Sequence, residues 1–403
     1  MPRARRVHRP HYRVLLNAGA LFLLVLALSS TAAAQDPTPQ APANQVTATF
    51  TPAPLLVFPN PTDSNSPLVW IGDQLTLFNS VDGHPDRSTG SQLQTEQSEE
   101  DGEPGSGFDD DVGSGRWLEA VIRDDDSGRL YGWYHEEIVS DCPQGPRLWP
   151  EIGATLSDDD GVTWQDLGLI LTPRDGTVTC DTDHPVTNGG IGDFSVILDN
   201  NTAPEDHYAY FIFSSYGGDL DEQGISFARM LWIDRDEPLD RLTGQSQASK
   251  WNGSEWSEPG IGGRSEAIFH DAQQVSWTSE QNNGYWGPSV HWNVDLNSFI
   301  VLMNRSGGDN YDPDGIYMTY TTALDSPLTW AQPKIVIEKD QGWYPEVVGD
   351  QAIHGTDKLA GSVARYFNMG RSSYTITFQL STRTTSSTPT GTARTRRGVP
   401  TGR

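Results

Sequence analysis

A five-bladed β-propeller of four-stranded antiparallel blades is the fold this sequence predicts, and three observations carry that prediction. Five segments repeat one pattern, a buried run followed by a turn and an alternating hairpin partner. The composition is turn-rich, with 40 Gly and 27 Pro among 403 residues, and no apolar pattern of period 3.6 runs far outside the N-terminus. A lone strand-like stretch, Gln45–Pro52 (QVTATFTP), precedes the first repeat and is placed to close the ring as the outer strand of the last blade.

Residues 1–34 read as an export signal. MPRARRVHRPHYR is basic, VLLNAGALFLLVLALSS is apolar, and Ala32-Ala33-Ala34 supplies small residues for cleavage. The rival reading is an uncleaved anchor, because the apolar block is nearly long enough to span a bilayer. No Cys sits near the cleavage point, which argues against a lipoprotein. Residues 35–52 form a Pro-rich mature start that includes the closing strand, and the propeller is expected over 53–380.

The first repeat is Asn65–Ser80 (NSPLVWIGDQLTLFNS), followed by an acidic run, Glu96–Asp111, expected to be a solvated loop. The second is Arg116–Glu137, the third Gly192–Tyr216, the fourth Trp286–Ser306 and the fifth Trp343–Phe367. They follow one another at uneven spacings of roughly 50–95 residues, and repeats two and four continue into a third strand and a Trp-bearing turn. Six blades stay open, because Leu231–Gly263 is long enough to hold irregular strands. The Ser/Thr/Arg-rich tail, 381–403, has almost nothing to bury and is expected to be disordered.

The formal charge is −27, and loss of the five Arg in residues 1–34 takes the chain to near −32. No basic stripe offsets that field, so a nucleic-acid partner is excluded, and no membrane contact is expected after cleavage. A secreted or periplasmic monomer that takes a neutral or cationic ligand fits better. The only two cysteines, Cys142 and Cys180, are expected to form a disulfide outside the cell, pinning two loops beside the site.

In a propeller the inner strands start at the ligand mouth, so acids and aromatics that open those strands are the site candidates. Blade one offers Asp63 and Asn65, blade two Glu119, blade three Asp193, blade four Trp286 and His291, and blade five Tyr344 and Glu346. Glu119 and Asp193 are the most informative, since each is an acid set in an apolar strand, where an unpaired charge is costly. Facing a funnel, such acids would couple and separate their pKa values for acid and base roles. The bland reading pairs them with Arg229, Arg305 or Arg365.

His135, Glu136 and Glu137 close the second strand of blade two, where alternation sends either His135 and Glu137 or Glu136 alone to one side. Gly189, Gly190 and Gly192 precede Asp193 and would permit close backbone approach, although glycine clusters are also ordinary turns. His184 lies on the connection into blade three, and Arg305 is a further substrate-binding candidate. A metal at Asp181, Asp183 and His184 is conceivable, but no recognised ligand spacing supports it and no cofactor is expected. Asp309–Gly315 (DNYDPDG) has calcium-like oxygen density without the full loop pattern and reads first as a turn, with a structural calcium left open. Trp286, Trp292 and Trp343 lie near inner strands, where an indole face would suit a sugar ring.

Ser157-x-Asp159-x-Gly161-x-Thr163-Trp164 resembles the Asp-box of sialidases and other propellers. That resemblance implies a turn between the third and fourth strands of a blade, on the face away from the mouth, so its aspartates speak for fold and not for chemistry. The five repeats from about Val57 to Leu380 resemble the five-bladed glycoside hydrolases of the arabinanase, xylosidase and invertase type, with glycoside hydrolase family 43 the nearest group. The resemblance implies hydrolysis of a glycan by two aspartates and a glutamate acid. Asp193 fits the second aspartate by placement, whereas Ser66-Pro67 and Trp286-Gly287-Pro288 stand where the other two would fall, with Asp63 three residues before Ser66. The chain then uses Glu119 or Glu346, or binds sugar without cleaving it. A sialidase-like glycosidase is a weaker alternative, since the Phe/Tyr-Arg-Ile-Pro signature is absent.

Overall fold

In a computed structural model the chain is described over residues 44–59, 61–81, 83–91, 93, 115–199, 206–270, 274–308, 311–339, 342–350 and 354–382. All of these belong to one compact unit, Pro39–Arg403. The expected export signal, the acidic run and nearly all of the C-terminal tail lie outside the described residues.

Five antiparallel sheets form five blades around an axis. β1 (Asn44–Val57) pairs along its length with the final strand and so belongs to blade five. Blade one is β2 (Leu68–Ile71), β3 (Gln74–Val81) and β4 (His84–Gly90). Blade two is β5 (Arg116–Arg123), β6 (Leu130–Cys142), β7 (Gly145–Ser157) and β8 (Gln165–Leu171).

Blade three is β9 (Ile191–Leu198), β10 (Tyr208–Ser215), β11 (Gly224–Leu231), β12 (Ser249–Trp251) and β13 (Trp256–Pro259). The segment that left a sixth blade open thus supplies the two short outer strands of this one, and the ring has five blades. Blade four is β14 (Tyr285–Asn293), β15 (Ser298–Ser306), β16 (Pro313–Thr321) and β17 (Lys334–Glu338), with β19 (Leu359–Ala360) running parallel along β14. β18 (Pro345–Val348), β20 (Val363–Asn368) and β21 (Arg371–Thr382) form blade five, which β1 completes.

The five predicted hairpins are the inner pairs of the five blades. They are long apolar runs because an inner or second strand is covered on both faces by neighbouring blades. Phe194, Val196, Phe211, Phe213 and Ala228 of blade three join Trp133, Ile152 and Ala154 of blade two in one cluster. Ring closure follows from β1, whose pairing runs from Asn44↔Thr382 to Val57↔Arg371 with one irregularity after Pro52. The described propeller strands therefore run from Asn44 to Thr382, with the expected ring-closing stretch Gln45–Pro52 lying within β1.

The turn Ser157–Trp164 joins β7 to β8, at the end of blade two where β5 turns into β6. Asp159 accepts hydrogen bonds from the Thr163 amide (2.8 Å), the Thr163 hydroxyl (2.7 Å) and the Ser157 hydroxyl (2.9 Å). Gly161 sits at φ 83°, and a Cβ there would meet the Phe78 ring of blade one at 2.4 Å. Trp164 is buried edge-on against the same ring, with centroids 5.6 Å apart. The motif welds blade two to blade one, away from the acids described next.

Candidate active site

Inner strands β2, β5, β9, β14 and β18 all begin at one end of the axis. A cavity of about 210 Å³ opens there, walled by Asp63, Glu137 and Asp193 among six aromatic side chains, Trp117, Tyr216, Trp286, Tyr311, Trp343 and Tyr344. No Arg or Lys is among the described residues that wall it. Three of its residues carry a left-handed backbone that side chains other than glycine resist: Asp193 (φ 40°), Tyr311 (φ 59°) and Tyr344 (φ 54°).

The acids reach this end through breaks in strand alternation. On β5, Leu118 pairs with Tyr134 and Ala120 with Trp133, so Glu119 is the extra residue of a bulge. On β9, Phe194 pairs with Phe213 and Gly192 with Ser214, which makes Asp193 the extra residue there. The Glu119 and Asp193 carboxylates and a His135 ring nitrogen consequently all lie within 4.8 Å of one another.

Asp193 is held by two phenols. Tyr216 donates a hydrogen bond to one oxygen and Tyr344 to the other, the latter at 3.0 Å. Burial, followed by the Asp193 charge, pushes both tyrosines well above their ordinary range, so they remain donors. Glu137 reaches the cavity because it shares a face of β6 with His135, whereas Glu136 points to the other side and pairs with Arg116 at 2.8 Å. Burial pushes the Glu137 carboxyl up, the His135 charge pulls it back, and the Asp193 and Asp63 charges add to the rise.

Glu119 lies below the cavity floor, fully buried. It accepts from a His135 ring nitrogen, from the Phe194 amide at 3.0 Å and from the Asn65 amide group at 3.4 Å. Burial pushes His135 down, but the hydrogen bond and charge of Glu119 outweigh it, and His135 titrates at about 9. Burial pushes Glu119 up to about 7, against the hydrogen bond and charge of His135, so the two groups titrate as a buried pair. Asn65 also donates to Phe194 O (2.7 Å) and Pro288 O (2.9 Å), tying four blades together under the site.

Glu346 is buried as well, accepts from the Ser66 amide at 3.3 Å, and is pushed well up by burial and then by Asp357. Neither glutamate of the expected catalytic set therefore lines the cavity. The three arginines considered as partners lie elsewhere: Arg229 over Tyr208 and Trp256, Arg305 on Asp314, and Arg365 on Ser372.

Of the expected substrate-binding residues, Trp286, Tyr344 and His135 line the cavity; His184, His291 and Arg305 do not. His291 pairs with Ile300 close to the far turn of β14, packs on Phe378, and is pushed down to about 3 by burial. Strand direction is the reason, since only the first residues of β14 lie at the mouth. Arg305 turns outward along its own blade to Asp314. His184 accepts from the Val186 and Thr187 amides and stands edge-on behind Tyr311, so it supports the wall from outside.

Asp181 and Asp183 are exposed while His184 is buried, so those three do not converge. Asp309 and Asn310 of the calcium-like stretch lie outside the described residues. Cys142 and Cys180 form a disulfide with Cα atoms 5.4 Å apart, joining the end of β6 to the connection that leads into β9. Trp117, Glu137, Tyr216 and Tyr311 are absent from the expected site; alternation along β6 signalled only Glu137.

No family model matches the chain, and no curated protein matches it. Solved structures that align with it include glycoside hydrolases. An exo-β-1,3-galactanase from Phanerochaete chrysosporium is 11% identical, covering 81% of this chain and 64% of the galactanase, with a TM-score of 0.44. A glycoside hydrolase family 43 protein from Bacillus licheniformis is 14% identical over 82% of this chain and 73% of its own, TM-score 0.43. An endo-arabinase from Bacteroides thetaiotaomicron is 14% identical over 80% and 94%, TM-score 0.42. The chain spans under two thirds of the galactanase's length.

Proposed function

We propose that this chain is a secreted, monomeric glycoside hydrolase that cleaves a neutral glycan at the axial mouth. One observation carries the reading: three carboxylates wall a small aromatic cavity without a lysine or arginine among the described residues. Indole and phenol faces bind the apolar faces of a sugar ring, and a wall of acids repels anionic sugars.

Glu137 is the general acid. Burial beside Asp193 and Asp63 raises its proton affinity, and in the reaction it passes a proton to the glycosidic oxygen as the bond to the anomeric carbon breaks. Asp63 is the opposing carboxylate, which takes a proton from the attacking water or attacks the anomeric carbon itself. Asp193, clamped by Tyr216 and Tyr344, positions the ring hydroxyls and raises the proton affinity of Glu137. Glu119 and His135 are positioning residues beneath them.

A non-catalytic carbohydrate-binding propeller is the second reading, favoured by the burial of Glu119 and Glu346 away from the cavity. A sialidase-like activity would need arginines to clamp a carboxylate, and the described wall offers none. A panel of plant and microbial glycans, assayed for reducing-end release and for binding with the unaltered chain and Asp63→Asn, separates these readings. Turnover lost in Asp63→Asn with binding retained supports the hydrolase; binding without turnover in the unaltered chain leaves the binding module.

A further inference from the structure

The opposite end of the axis holds a much larger cavity, about 980 Å³, walled by the far ends of the inner strands. Three half-buried indoles face it, Trp70 at the end of β2, Trp292 at the end of β14, and Trp232 in the short 3-10 turn after β11. Each is fixed before any ligand arrives. Trp70 donates from Nε1 to Gly355 O at 3.1 Å and meets His354 edge-on, with ring centres 5.4 Å apart. Trp292 leans on Phe299 at 4.6 Å, and Trp232 sits edge-on to Tyr131 under the Arg235 guanidinium. Rigid aromatic faces cost little entropy when they bind.

We infer that this cavity is a second carbohydrate site, for a neutral oligosaccharide, on the face away from the carboxylates. Charge pairing gives the ligand class. Arg123 is paired with Asp125 at 3.0 Å, Arg235 with Asp124 at 3.2 Å, and Lys358 with Asp357 at 2.9 Å. Every lysine and arginine in the described wall is thus matched by a carboxylate. A phosphate or uronate gains no uncompensated cation there, and the net charge of the chain repels it. A purely apolar ligand would have to desolvate those ion pairs without replacing their hydrogen bonds. A sugar meets both demands, stacking its C–H face on indole while its hydroxyls bridge paired guanidinium and carboxylate groups. The cavity lies in the range of ordinary ligand pockets and accommodates several sugar units, where the mouth holds far less.

This inference stands apart from the hydrolase reading, because it needs only that the chain binds sugar. Hydrogen exchange of the unaltered full chain is compared with and without xylotriose, arabinotriose, galactotriose, mannotriose and cellotriose, each in turn. At least one trisaccharide is expected to slow exchange around Trp70, Trp292 and Lys358. Trp70→Ala combined with Trp292→Ala should weaken that binding roughly tenfold or more while leaving protection around Trp117 and Tyr344 unchanged. Protection confined to the mouth, no protection at either end with all five sugars, or unchanged affinity in the double variant overturns the inference. If the double variant fails to fold, the exchange map of the unaltered chain decides alone. Protection at the far end without any at the mouth would refute the hydrolase reading and keep this one.

Discussion

His135 and Glu119 show how a single buried pair sets both electrostatics and pH range. The folded pKa of His135, about 9, is above the ordinary value for histidine, so its proton stabilises the fold. That contribution is complete below about pH 6.5 and fades as pH rises to about 9. The loss is at most about 3 kcal/mol. Glu119→Gln removes the partner charge, so the decline in melting temperature between pH 6.5 and 9 should flatten; an unchanged slope would place the titration elsewhere. Sequence identified Glu119 and Asp193 because an acid in an apolar strand is conspicuous. It could not show that a bulge re-aims each of them, nor that Glu119 drops below the floor while Glu137 takes the wall. Those outcomes depend on register, which β6 settles only by pairing.

At the scale of elements, loops and turns hold the mouth in shape. The Cys142–Cys180 bridge closes a 38-residue span and fixes the approach to Gly189, Gly190 and Asp193. Replacing both cysteines with serine is expected to cost about 3–4 kcal/mol by loop closure, read from urea unfolding, with a weaker affinity for glycan as the loop loosens. A loss in stability with affinity intact would detach the bridge from the site. The Ser157–Trp164 turn offers the converse case. Asp159→Ala removes three hydrogen bonds at a turn away from the mouth, for about 1–2 kcal/mol, and should leave the affinity of the folded protein unchanged. A large affinity loss at constant melting temperature would reverse the two faces of the propeller. The hairpins and this turn were legible because hydrophobic period and turn residues are local. His291 does not line the cavity because which end of a strand meets the mouth is a property of the ring, whereas Arg305 lies at the mouth end but turns to Asp314 and His184 stands behind Tyr311.

The described propeller is a ring closed by its first and last strands, with β1 laid along β21 and the two axial openings different in character. One is narrow, acidic and aromatic; the other is wide, rimmed by matched charges. Five blades were legible from five apolar hairpins, and the extra outer strands of blade three filled the stretch that had left a sixth open. The central claim is that Glu137 delivers a proton to the leaving group at the narrow mouth. Its most direct test compares Glu137→Gln with the unaltered chain on the natural glycan and on a dinitrophenyl glycoside of the same sugar. The activated leaving group departs without protonation. Glu137→Gln is therefore expected to lose about 10²-fold or more in kcat/KM on the glycan and to keep most activity on the dinitrophenyl glycoside. Equal losses on both substrates, or none on either, would contradict the account.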